Sequence, residues 1–123
     1  MPRRLTLLSL TAAALLAACG SAPPTRTPTL PALSAEQSSD IAIHAMGLVG
    51  TPYRWGGNTP ESGFDCSGLI GYVYKHRAGV APPRTVAQLS GFGSAVEAAD
   101  LRTGDLVIFG HDPAWHCLLY TSP

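Results

Sequence analysis

The chain carries no excess charge of either sign: eight lysines and arginines balance eight aspartates and glutamates. Nothing in that balance argues for nucleic acid as a partner, or for attachment to a membrane by charge alone. Cysteine is scarce, with three residues at positions 19, 66 and 117. No pair of them has CxxC spacing, so neither a zinc site nor a disulfide framework is indicated, and no metal or organic cofactor is expected. The longest apolar run is too short to span a bilayer comfortably, and no internal repeat is visible. With 123 residues the chain holds one small domain at most.

Apolar residues (46%) and proline (eleven) are plentiful instead, and both concentrate towards the start. Arg3 and Arg4 precede an apolar stretch from Leu5 to Ala18, the pattern of a secretory signal. It ends in Leu16-Ala17-Ala18-Cys19, which resembles the lipobox of bacterial lipoproteins. That resemblance implies cleavage before Cys19, lipidation of its sulfur and acylation of the new amino terminus. Two or more acyl chains anchor stably where one would not. Residues 1–18 are therefore read as a lipoprotein signal peptide, with an ordinary secretory signal as the alternative. Gly20 rather than aspartate after the cysteine fits the outer membrane, with the domain facing the periplasm. Pro23, Pro24, Pro28 and Pro31 lie among Ser, Thr and Ala, a composition that cannot bury a core. Residues 19–33 are expected to be a lipidated tether.

The folded part is expected over residues 34–123. Ser34 and Gln37 have capping-box spacing, and Ile41, Ala45, Leu48 and Val49 recur at helical intervals before Gly50 as a stop. "TPYRWGGNTPESG" reads as a loop holding two large aromatics. Beyond it Cys66, Leu69, Ile70, Val73 and Tyr74 fall on one helical face. Asp65 is placed to cap that helix, Lys75, His76 and Arg77 suit its last turn, and Gly79 ends it. Cys66 thus starts a helix on its buried side, where free amides and the positive helix end favour a thiolate. A small hydrophobe filling the core is the other reading of that residue. Leu106–Phe109 and His116–Tyr120 are the two strand-like runs.

The combination Gly50-Thr-Pro-Tyr-Arg-Trp-Gly-Gly57, Phe64-Asp-Cys-Ser-Gly68, Pro83-Arg-Thr85 with Gln88, and Leu101-Arg-Thr-Gly-Asp-Leu-Val107 resembles the NlpC-type cell-wall cysteine peptidases. The resemblance implies an α+β papain-like fold whose nucleophile helix packs on an antiparallel sheet. It implies hydrolysis of peptidoglycan stem peptides, commonly after γ-D-glutamate. Carried over by position, Cys66 matches the nucleophile and Tyr53 a tyrosine that helps hold the oxyanion. Asp65 and Ser67 match positions that meet the amino end of the stem peptide in members recognising a free L-alanine, with capping of the helix as their other reading. Arg84 matches a family arginine, read as substrate-binding with a structural role as the alternative. The catalytic histidine of such proteins opens a strand after the cysteine, a place that His116 fits, with His111 as the alternative. His76 lies ten residues along the helix of Cys66, roughly 15 Å away by rise alone, and cannot be the base.

The closing run Cys117-Leu-Leu-Tyr-Thr-Ser-Pro123 keeps the tyrosine of that strand and replaces its small glycine. It also resembles a translated sequencing adapter, which leaves residues 117–123 open between native strand and appended sequence. Family members continue further, supplying later strands and the polar residue that orients the histidine, so a partial domain is expected here. The expected function is a Cys-His stem-peptide endopeptidase, monomeric and lipid-anchored in the cell envelope. The alternatives are a muramoyl-alanine amidase of the same clan and a non-catalytic wall-binding lipoprotein.

Overall fold

The computed structural model describes residues 32–122; the expected signal peptide, Cys19 and nearly all of the tether lie outside them. Helix α1 runs Ala35–Met46 and starts where the capping box places it. The Ser34 hydroxyl accepts from the Gln37 amide at 3.1 Å, and the Gln37 side chain accepts from the Ser34 amide at 3.0 Å. A cap of this kind contributes about 1 kcal/mol. Ile41, Ala42 and Ala45 form its buried face. The expected continuation to Val49 does not occur. Glycine at position 47 disfavours helix by about 1 kcal/mol relative to alanine. The Leu48 and Val49 amides bond instead to the carbonyls three residues back, and Val49 is 84% exposed.

The segment read as loop contains a minimal antiparallel hairpin, β1 (Asn58–Thr59) with β2 (Gly63–Phe64), closed by Thr59–Ser62 side-chain bonds. Helix α2, Cys66–Ala78, follows directly. Asp65 caps it, the three basic residues occupy its last turn, and Gly79 ends it with φ +66°, as its sequence requires. Ile70, Val73 and Tyr74 are buried, with Cys66 and Leu69 partly so. The predicted stripe is therefore the inner face of the helix.

Thr85 caps a single turn, α3 (Val86–Leu89), whose Leu89 enters the core. Strands β3 (Leu106–Phe109) and β4 (His116–Leu119) then pair antiparallel, Leu106 opposite Leu119 and Phe109 opposite His116. β4 stops one residue short of the predicted Tyr120, whose amide turns to the Asp105 carbonyl at 2.9 Å.

Helix α2 is the centre of the fold, packing on α1, on the β1–β2 hairpin and on β4. Ile41, Ala45, Ile70, Val73, Tyr74, Leu89 and Cys117 meet between these elements. Burying each large aliphatic side chain there contributes roughly 1.5–3 kcal/mol. The Tyr74 hydroxyl ties the helix to the approach to β3 by donating to the Gly104 carbonyl at 2.5 Å. The architecture is thus α+β, a helix on an antiparallel pair. Among the described residues no helix is long and apolar enough to cross a membrane.

Candidate active site

Cys66 is the first residue of α2 and is half-buried. Of the amides that open this helix, that of Gly68 donates to the Asp65 carboxylate at 2.7 Å and that of Leu69 to the Asp65 carbonyl at 3.0 Å. The Cys66 and Ser67 amides have no partner among the described residues. Two unspent donors at the positive end of a helix, beside a thiol, are what an acyl-transfer oxyanion needs.

The loop carrying Tyr53 and Trp55 is sewn to the start of this helix. The Phe64 amide bonds to the Pro52 carbonyl at 3.1 Å and the Arg54 amide to the Phe64 carbonyl at 2.9 Å. The Asp65 amide bonds to the Gly57 carbonyl at 3.0 Å. That approach dictates two glycines. A Cβ on Gly68 would stand 2.0 Å from the Gly57 oxygen, and one on Gly57 would stand 2.2 Å from the Gly63 oxygen. Tyr53 pairs by one bridge with Phe64 and leaves its side chain 66% exposed, beside the residue preceding Asp65.

Asp65, Ser67 and Arg84, expected to meet substrate, are brought together and bonded to one another. Arg84 reaches back from the segment before α3. Its Nη1 donates to Asp65 Oδ1 at 2.9 Å and to Ser67 Oγ at 2.6 Å, and its Nη2 donates to Asp65 Oδ2 at 2.9 Å. The Gly56 amide donates to the same carboxylate at 2.9 Å. Burial by itself would raise the Asp65 pKa, but the Arg84 guanidinium and the Gly68 and Gly56 amides outweigh it and hold it below the usual carboxylate range. Arg84 is correspondingly raised, first by its hydrogen bond to Asp65.

His116 opens β4, the strand that packs on α2. Its ring stacks against Phe109 and Trp115, each at 5.8 Å, and among the described residues no hydrogen bond fixes its nitrogens. His111 stands in the β3–β4 connection, almost fully exposed, 3.5 Å from the equally exposed Asp112. His44 and His76 flank Tyr72 at the α1–α2 junction. Among the described residues no group of three His, Cys, Asp or Glu side chains could hold a metal ion.

The sequence reading assigned nothing to Cys117, yet this buried residue belongs to the core cluster against which Cys66 packs. Side chains alternate along a strand, so the residue after His116 is turned towards the helix. Burial, followed by the neighbouring Cys66, pushes the Cys117 thiol up to about 12 and keeps it protonated. Nothing local to Cys117 in the sequence signals this neighbourhood.

The profile of the NlpC/P60 family matches residues 50–122, which include every element of this site. The chain belongs to the NlpC/P60 family. Murein DD-endopeptidase MepH of Escherichia coli is 42% identical over 93 residues, covering 71% of this chain and 34% of that protein. A probable endopeptidase of Corynebacterium glutamicum is 36% identical over 106 residues, covering 86% of this chain and 48% of its own length. The chain therefore spans less than half of these curated relatives. The NlpC/P60 domain of the peptidoglycan hydrolase SagA superposes with a TM-score of 0.63 at 32% identity, over 68% of this chain and 71% of that one. A Staphylococcus aureus protein described as similar to lipoprotein, NLP/P60 family, gives 0.66 at 29% identity, over 80% and 35%. The helix-on-antiparallel-sheet arrangement is the papain-like fold of these NlpC/P60 domains.

Proposed function

We propose that this NlpC/P60 chain is a cysteine endopeptidase acting on peptidoglycan stem peptides in the bacterial envelope. The observation that carries the reading is Cys66 at the capped start of α2, next to two backbone amides without a partner among the described residues. In this mechanism His116 takes the thiol proton, Cys66 attacks the amide carbonyl, and water releases the acyl-enzyme. The Cys66 and Ser67 amides receive the oxyanion, and the exposed Tyr53 hydroxyl assists from the adjoining loop. The names of the relatives support a wall substrate but differ over the bond: MepH is a DD-endopeptidase, whereas CwlT of Bacillus subtilis is described as a muramidase and DL-endopeptidase. The bond following γ-D-glutamate is the one we assign. Cys19, as the lipidated residue, would hold the domain on the outer membrane facing the wall.

The test is product analysis on defined muropeptides with the full chain and with Cys66→Ala. Wild type should release fragments ending in D-glutamate, and the variant should release none while keeping its circular dichroism. Turnover retained in Cys66→Ala would refute the mechanism. A free lactyl-muramic product would move the enzyme to the amidase class, and absence of any cleavage by a folded wild type would favour wall binding alone.

A further inference from the structure

Consecutive side chains along a strand point to opposite faces, so the residue before His116 would ordinarily turn away from its ring. Trp115 does the reverse. Its indole lies 17° from parallel with the imidazole, at 5.8 Å between centroids. Phe109, opposite His116 in the β3–β4 register, stacks on the same imidazole at 5.8 Å and 30°. Trp115 and Phe109 meet each other at 6.2 Å, so the three rings close a triangle. All three separations fall within the roughly 4.5–7 Å over which aromatic rings attract one another.

The seat of Trp115 is specified by the backbone beneath it. Its amide donates to the Phe109 carbonyl at 3.0 Å. Gly110 adopts φ +88°, and a Cβ there would stand 2.3 Å from Cδ1 and 2.6 Å from Nε1 of the indole. Only glycine leaves that space. The indole is nevertheless 69% exposed, so burial explains little of its placement. What the placement does provide is a flat face for His116, whose nitrogens no hydrogen bond fixes among the described residues.

We infer that Trp115 is a positioning residue for His116: its indole, with Phe109, holds the imidazole in the orientation from which it takes the Cys66 proton. The inference rests on the Cys-His reading above. General-base catalysis needs a hydrogen bond of defined geometry, so a base that visits other rotamers loses rate in proportion to the time spent there. Rotation of the imidazole about its Cβ–Cγ bond would exchange a parallel face for an edge and forfeit the stacking. Trp115 thus acts through the ring of His116.

The experiment reads the thiol without substrate. Alkylation of Cys66 by iodoacetamide near neutral pH is followed in the full chain by peptide mass spectrometry, because the thiolate is the reacting form and His116 the group that draws its proton. His116→Ala should slow the reaction about tenfold or more, and Trp115→Ala about three- to tenfold. Trp115→Phe keeps a flat ring on the imidazole and should stay within about twofold of wild type. NMR relaxation of the His116 ring carbons supplies a readout that a merely structural tryptophan would not move. Their order parameter should drop in Trp115→Ala and recover in Trp115→Phe. Slowed alkylation with an unchanged order parameter would overturn the inference, as would wild-type alkylation in Trp115→Ala where His116→Ala is slow. Should Trp115→Ala fail to fold, Trp115→Leu keeps apolar bulk over Gly110 without a face to stack. Wild-type alkylation and ring order in that protein overturn the inference equally. Alkylation untouched by His116→Ala would overturn the Cys-His reading, and the inference with it, a result told apart by its independence of Trp115.

Discussion

Two glycines three residues apart on α2 should respond oppositely to the same substitution. Gly71 faces open space: a Cβ added there meets nothing within 4 Å. Gly71→Ala therefore gains helix propensity and loses unfolded-state entropy, stabilising by about 0.5–1 kcal/mol. At Gly68 the same methyl would stand 2.0 Å from the Gly57 carbonyl oxygen and 2.9 Å from Asp65 Oδ1. The first obstruction is backbone, held by the Asp65 amide at 3.0 Å, so it cannot rotate aside as a side chain would. Overpacking against it costs about 3 kcal/mol, the upper end of the usual range. After the propensity gain of about 1 kcal/mol, a net loss of about 2 kcal/mol remains. In a domain of this size 1 kcal/mol moves the melting temperature by about 4–8 °C. Gly68→Ala should thus melt roughly 8–16 °C below wild type and Gly71→Ala about 2–8 °C above it. Differential scanning calorimetry of the three proteins decides the matter. A Gly68→Ala protein as stable as wild type would show that the Gly57 loop is not clamped against the helix start, and the site geometry described above would fall with it.

The other predictions concern protons and one buried hydroxyl. His44 Nδ1 lies 3.1 Å from Arg77 Nη2 and its buried Nε2 has no partner among the described residues, so burial and then Arg77 lower its pKa below 6.5. The unfolded chain then binds the proton more readily, so stability falls as pH drops below about 6.5. Denaturant midpoints at pH 5 and 7.5 should differ for wild type and converge for His44→Phe. Tyr74, pushed to about 12 chiefly by burial, has a folded pKa above its ordinary value of 10. Its contribution is complete below pH 10 and is lost as pH rises towards 12, which ultraviolet titration of tyrosinate against unfolding will show. Tyr74→Phe leaves the Gly104 carbonyl without its donor and should cost about 1–3 kcal/mol in chemical denaturation.

Local chemistry made much of this molecule legible. Ser34, Asp65 and Gly79 mark helix ends because each satisfies backbone groups within a few residues of itself, and such signals need no knowledge of the rest of the fold. The stripe from Cys66 to Tyr74 was equally readable, since a helix of fixed pitch can bury only one face. Position 47 shows the limit even at short range. The periodicity of Ile41, Ala45 and Leu48 argued for continuation, and the weak helix propensity of one glycine was enough to end the helix before Val49 could join it.

What the sequence withheld is what only distance in the chain can create. Nothing local to Arg84 says that its guanidinium will close on a carboxylate nineteen residues earlier and on the Ser67 hydroxyl beside it. The same holds for the stretch between Cys66 and β4: only the packing of that strand on α2 turns Cys117 towards the core that Cys66 adjoins. Alternation along β4 then separates the two neighbours. Cys117 is sealed in the core at 2% exposure, while the ring of His116 rests against Phe109 and Trp115 with no hydrogen bond among the described residues to steer it. In a Cys-His mechanism the base must be held in one orientation as well as brought near, because proton transfer requires a hydrogen bond of defined geometry. For the proposed Cys-His mechanism the described residues give Cys66 a cap, free amides and a clamped loop, whereas no hydrogen bond among them orients the His116 ring. Activity should therefore be far more sensitive to what contacts the His116 ring than to further changes around Cys66.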